Sequence, residues 1–211
     1  MLEYESELYN NGINLIAGVD EVGRGPLIGP VVACACILPK GFYHKDIKDS
    51  KKLSEKKRNE MYKVILDNAI SIGIGVVSES VIDEVNIYEA TKIAMKKAID
   101  NLNVKPEHIL IDAMKLDIDI PSTSIIKGDA KSESIASASI VAKVTRDAML
   151  DLMDTEYPMY DLKHNKGYGT KKHMEALKKY GACKYHRKSF GPVKSVLSEN
   201  GVKQLENEVN L

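Results

Sequence analysis

The sequence has little cysteine, no long apolar run, no excess of charge and no internal repeat. Three cysteines stand in 211 residues. Cys34 and Cys36 lie two apart in an apolar stretch and Cys183 stands alone. An odd count without metal-ligand spacing excludes a disulfide framework, argues against zinc and points to reduced thiols. Cys34 and Cys36 read as small buried hydrophobes. No uninterrupted apolar segment is long enough to cross a bilayer, and the acidic, polar start from Met1 to Asn14 is unlike a signal peptide. The expectation is a cytoplasmic protein. With 44% hydrophobic and 28% charged residues, the composition is neither disordered nor collagenous. The length suits one domain, or one domain with a small appendage.

The formal net charge is zero, which by itself gives no reason to expect a polyanionic partner. The distribution is uneven. Between residues 163 and 194 ten Lys and Arg face the single acid Glu175, a local net of +9, so the rest carries −9. Such a segment is either a phosphate-binding surface or a solvated helix face, and charge alone does not choose.

Hydrophobic patterning gives the elements. Leu15–Asp20 reads as a strand, broken afterwards by Gly23, Gly25, Pro26, Gly29 and Pro30. Val31–Leu38 is apolar on both alternating faces, as in a strand inside a sheet. Ser54–Asn68 reads as an amphipathic helix capped by Ser54, with Met61, Val64, Ile65 and Ile70 as its stripe. Ile70–Val77, Ile109–Asp112 and Ser124–Lys127 read as strands; Ile87–Leu102 and Lys131–Met153 as long helices; Lys171–Tyr180 and Val193–Glu199 as short ones. The pattern predicts an α/β fold with a mixed sheet.

The strongest chemical feature is Gly18–Gly25, GVDEVGRG. Two acids end an apolar strand and a glycine-rich turn follows. Carboxylates at strand ends suit hard cations such as Mg²⁺ or Mn²⁺. Glycines let a backbone approach phosphate or hydroxyl oxygens, and Arg24 between them can bind phosphate. Adjacent strand residues face opposite ways, so Asp20 and Glu21 share one site only if the strand twists or bulges there. The rival reading is a dinucleotide turn on Gly23, Gly25 and Gly29. It should open a helix, whereas prolines and a strand follow. Asp112 and Asp129 each follow an apolar strand; in neighbouring strands they would converge with Asp20 and Glu21 on one sheet edge. Asp129 alone reads equally as a cap for the helix near Lys131. Tyr168 stands between Gly167 and Gly169 in the basic segment, where its ring either meets a sugar or base or packs on its own loop. Lys51 and Lys52 precede a helix start and read as phosphate contacts or ordinary surface lysines.

Together these motifs resemble the ribonuclease HII family. The blocks are GVDEVGRG at 18–25, DSKKLS at 49–54, ILIDA at 109–113, KGDAKSESIASASIVAKVTRD at 127–147, HNKGYGTKKH at 164–173 and HRKSFGPV at 186–193. The resemblance implies a ribonuclease H-like fold: a central five-stranded mixed sheet flanked by helices, with a helical C-terminal part. It implies a catalytic domain over 1–185 and a C-terminal helical segment and polar tail over 186–211. Asp20, Glu21, Asp112 and Asp129 match the family's metal-binding acids, for Mg²⁺ or Mn²⁺. Gly23, Arg24 and Gly25 match the turn that reads the ribonucleotide's 2′-hydroxyl. Tyr168 matches a tyrosine that packs on the following deoxyribose, and Lys51 and Lys52 match basic residues near the substrate backbone. The implied activity is cleavage of RNA in RNA–DNA hybrids and 5′ to ribonucleotides in DNA, by a monomer. Ala113 stands where many bacterial members have glycine. The related ribonuclease HIII carries an extra N-terminal domain, for which a first acid at Asp20 leaves no room. The polar tail Ser198–Leu211 has no clear motif; disorder and contact with a partner such as a replication clamp are both open.

Overall fold

The computed structural model describes residues 1–48 and 50–198. Five strands form one sheet: β1 (Ile16–Val22), β2 (Val31–Ile37), β3 (Ser71–Val77), β4 (His108–Asp112) and β5 (Ser122–Ile125), in the spatial order β3-β2-β1-β4-β5. β2 runs antiparallel to β1 and β3, whereas β1, β4 and β5 are parallel. The sheet is therefore mixed, as the pattern predicts. The helices are α1 (Glu3–Asn10), α2 (Glu55–Asn68), α3 (Glu79–Val85), α4 (Ile87–Asp100), α5 (Glu133–Glu156), α6 (Leu162–Asn165), α7 (Lys171–Tyr180) and α8 over 191–198.

Both sheet faces are covered, which is why β2 is apolar throughout. Its odd residues, Val31, Ala33, Ala35 and Ile37, join Ala17 and Val19 of β1 against Ala90, Ala94 and Ala98 of α4. Its even residues, Cys34 and Cys36, pack with Met61 and Ile65 of α2 and Ala136, Ile140 and Val141 of α5. α5 approaches β1 closely because Gly18 has no side chain: a Cβ there would land on the backbone of Ser134 and Ile135. The small residues at the start of α5 serve the same approach.

Several boundaries differ from expectation. α1 lies in what reads as a polar start; it buries Glu5, whose carboxylate accepts from the Ser132 hydroxyl at 2.6 Å and the Ser134 N–H at 3.1 Å. Tyr4, Leu8 and Tyr9 of the helix pack against Ile16, Leu110, Ile125 and Ile135, so hydrogen bonding and an apolar face together hold it. Ile70 lies beyond α2 and is exposed; Met61 and Ile65 carry the buried stripe, and Ser54 caps the helix by accepting from the Lys57 N–H. β5 ends at Ile125, two residues early, because Lys127 turns the chain at φ +57°. Asp129 therefore sits in a 3₁₀ turn, Gly128–Ala130, and not at a strand end. Nor does Asp129 cap α5: Ser132 does, accepting from the Ile135 N–H. Asp49, Glu199 and the rest of the tail to Leu211 lie outside the described residues. Among those described, no helix is long and apolar enough to cross a membrane.

Candidate active site

The sheet register brings the acids together. Gly18 and Val19 of β1 pair with Leu110 and Ile111 of β4, so one step on sets Asp20 beside Asp112 at the ends of neighbouring parallel strands. Both have the parity of the residues facing α5. Asp20 is buried, its carboxylate hydrogen-bonded by the Ser139 hydroxyl of α5 and, at 2.7 Å, by the Glu21 N–H. Asp112 accepts from the Gly128 N–H at 2.6 Å, which ties it to the turn that carries Asp129.

β1 does not bulge: its pairing with β2 runs unbroken through Asp20, Glu21 and Val22. Alternation thus sends Glu21 to the α4 face. There its carboxylate lies 3.5 Å from the Arg24 guanidinium. The two acids nevertheless feel one another. Burial, then the charge of Glu21, then that of Asp112 hold Asp20 well above the ordinary carboxylate range. Burial also raises Glu21, Arg24 opposing and Asp112 adding. Asp112 is the charge common to both.

Beside these acids lies a cleft of 450 Å³ lined by Glu21, Val22, Gly23, Arg24, Gly25, Lys51, Ile87 and Tyr168. Four separate stretches of sequence meet there. The Tyr168 ring packs over Gly25, its Cε1 only 3.3 Å from where a Cβ would sit. Lys51 arrives on a 3₁₀ turn, Ser50–Lys52, which Arg58 holds through the Ser50 and Leu53 carbonyls. The Ser50 and Ser139 hydroxyls are 2.9 Å apart, which links this turn to Asp20. Lys52 is exposed on the same turn but outside the cleft lining.

Two buried arginines build the glycine turn. Arg187 donates to the carbonyls of Gly23, Arg24, Pro26 and Gly29, and Arg146 to those of Ile28, Pro30 and Lys166. Gly23 sits at φ +94°, and a Cβ on it would strike the Arg146 guanidinium. After the turn comes β2, not a helix, which leaves no dinucleotide-binding βα unit here. Sequence reading missed Arg146, Arg187, Ser139 and Ile87. The arginines look like basic surface, and nothing local marks a cage of carbonyls drawn from a loop more than a hundred residues away. The basic segment is also less free than its +9 suggests: Lys166, Lys172 and Lys184 pair with Asp151, Asp161 and Glu156, and Arg187 is buried.

Oxygen donors alone, crowded and desolvated enough to raise two of them, are the chemistry that fits a hard divalent cation. Asp20, Glu21 and Asp112 meet that description, and Asp129 is one residue from the Gly128 N–H that fixes Asp112. Among the described residues, no three acids, imidazoles or thiols already stand as a ready-made metal-holding group.

The burial of Asp20, with the repulsion added to it, has a measurable sign. Asp20's folded value is raised, so the folded chain binds that proton more tightly than the unfolded one. The resulting stability is fully present below the ordinary carboxylate range and is lost as pH rises through the raised value. In metal-free buffer Asp20→Asn should thus unfold at a higher denaturant midpoint than wild type at pH 8, with the gap closing as pH falls toward 4. A variant less stable than wild type at pH 8 would contradict this.

Comparison with known proteins shows the family and the fold. The ribonuclease HII family model matches residues 17–193. The ribonuclease H2 structure from Pyrococcus horikoshii OT3 superposes with a TM-score of 0.76 at 26% identity, covering 88% of this chain and 98% of that one. The ribonuclease HII of Archaeoglobus fulgidus, solved in complex with PCNA, gives 0.69 at 25% identity over 82% and 93%. The Bst ribonuclease HIII, solved with Mn²⁺, gives 0.67 at 17% identity over 88% and 70%, a likeness of fold. A family match spanning most of the chain, on a five-stranded mixed sheet with acids at its central strand ends, identifies the chain as a member of the ribonuclease HII family.

Proposed function

We propose that the chain is a divalent-metal-dependent endoribonuclease. It hydrolyses RNA in RNA–DNA hybrids and cuts 5′ to a ribonucleotide embedded in duplex DNA, leaving 3′-hydroxyl and 5′-phosphate ends. What supports this is buried Asp20 beside Asp112 at neighbouring strand ends, with the charge of Glu21 bearing on Asp20 and that of Asp112 on Glu21, next to a cleft lined by Gly23, Arg24, Gly25, Lys51 and Tyr168.

Each residue has a part in this reading. Asp20, Glu21, Asp112 and Asp129 would hold Mg²⁺ or Mn²⁺, which supplies an activated water and charge stabilisation at the leaving 3′-oxygen. Gly23 and Gly25 present backbone to the 2′-hydroxyl, the group that separates RNA from DNA at one site without reading the base. Arg24, exposed at the cleft, meets the phosphate. Tyr168 lays its ring on the next sugar. Lys51, and Lys52 beside it, follow the backbone, so binding weakens with salt. We assign 1–185 to the catalytic domain and 186–211 to a C-terminal helical segment and polar tail. The Mn²⁺-bound HIII supports the metal reading by analogy of fold, and the Archaeoglobus complex with PCNA supports a clamp contact, for which we propose the tail.

Manganese binding tests the reading without catalysis. Titrated protein should quench the electron paramagnetic resonance of free Mn²⁺, and Asp112→Asn should bind at least ~10-fold more weakly. Equal binding by the two proteins would overturn the acid assignment.

A further inference from the structure

Behind Tyr168 lies a buried pair of histidines that the reading above does not use. His173 on α7 and His186 in the segment after it are fully enclosed, with their Nε2 atoms 3.2 Å apart. Each end of the pair meets backbone of fixed polarity. His186 Nδ1 accepts from the Cys183 N–H at 3.0 Å, and a backbone N–H only donates, so that nitrogen carries no proton. Burial pulls His186 down to about 4, so the ring is neutral at neutral pH and its proton is on Nε2. That N–H donates to His173 Nε2. The His173 proton is then on Nδ1, 2.9 Å from the Tyr168 carbonyl, which only accepts. Both ends thus demand the same direction, and only one tautomer of each ring satisfies them.

The surroundings keep the pair in place. The Tyr160 ring stands edge-on to His186 at 4.7 Å and tilted to His173 at 5.8 Å between centroids, and its hydroxyl donates to the Gly181 carbonyl. At the far end, the Tyr168 carbonyl also accepts the Thr170 N–H at 2.8 Å, and the Thr170 hydroxyl caps α7 by accepting from the His173 N–H. The loop that carries the Tyr168 ring over Gly25 is therefore held from beneath by an imidazole, not by packing alone.

We propose that His173 and His186 are positioning residues for Tyr168: a one-way hydrogen-bond relay, running from the Cys183 N–H through both rings to the Tyr168 carbonyl, fixes the tyrosine against Gly25 and so sets how the cleft grips the sugar. This rests on the reading of Tyr168 as a sugar contact. His173 tunes substrate affinity through Tyr168, and His186 sets the tautomer His173 must adopt.

Two measurements test it together. Long-range ¹H–¹⁵N spectra of the wild-type protein at neutral pH should show His186 protonated on Nε2 and His173 on Nδ1. The opposite tautomer in either ring, or an imidazolium, overturns the relay. In kinetics on duplex DNA with one ribonucleotide, Tyr168→Ala and His173→Leu should each raise KM roughly tenfold, the scale of one stacking contact. The double variant should be no worse than Tyr168→Ala alone. His173→Asn, which keeps a donor near the Nδ1 position, should recover most of the loss. Additive effects, or no recovery with Asn, would mean that the histidine acts on packing and not through Tyr168. If Tyr168→Ala leaves KM unchanged while the tautomers are as stated, the sugar-contact reading falls, and the positioning proposal falls with it.

Discussion

Asp112→Asn should lower hybrid cleavage by at least ~100-fold, the scale on which removal of one preorganised electrostatic group acts, while the protein stays folded and still binds hybrid. The expectation follows from position. Asp112 ends β4 beside Asp20, and its charge bears on both Asp20 and Glu21. It is the member that connects acids on opposite faces of β1. Asparagine keeps the size and an oxygen for the Gly128 N–H, so the turn carrying Asp129 stays in place. Binding should survive because the proposed phosphate and sugar contacts lie in the cleft, which Asp112 does not line. Single-turnover cleavage, with binding measured alongside, separates the two effects. Cleavage at the wild-type rate would remove Asp112 from the chemistry.

The second large effect is on stability. Arg187→Ala should cost about 3–5 kcal/mol, since buried acceptors left without a donor cost about 1–3 kcal/mol each and water can reach some of them. Four carbonyls of the glycine turn lose their donor at once. Since typical domains are stable by only ~5–15 kcal/mol, this is a large share of the total. Arg187→Lys should rescue little: an ammonium is a point donor and cannot match a planar fork that reaches Gly23, Arg24, Pro26 and Gly29 together. Denaturant unfolding at fixed pH reads the loss, and a cost under ~1 kcal/mol would show that the turn holds its shape without the cage.

These two residues mark how far the sequence could be read. Asp112 is legible because an apolar run ends in an acid, a local pattern. So are Asp20, Glu21 and the glycine turn, and the sheet built around them. Arg187 is not, because its role depends on a loop brought back from the other end of the chain. Asp129 was half legible: the acid stands out, but the backbone reversal at Lys127 that puts it in a turn leaves no hydrophobic signature. α1 is hard to read for a different reason: its apolar face is short, only Tyr4, Leu8 and Tyr9, and sits among acids and asparagines, while Glu5 docks it through two serines. Tyr168 presented two readings in sequence, and only the fold brings its ring over Gly25.

The central claim is a metal-dependent cut directed by one 2′-hydroxyl. A gel assay on labelled duplex DNA with a single ribonucleotide, run with Mg²⁺, with Mn²⁺ and with EDTA beside an all-DNA control, tests it most directly. Cutting on the 5′ side of the ribonucleotide with either metal, and none with EDTA or in the control, is the predicted result. No cutting by the folded protein with either metal would contradict it and leave a hybrid-binding module in its place.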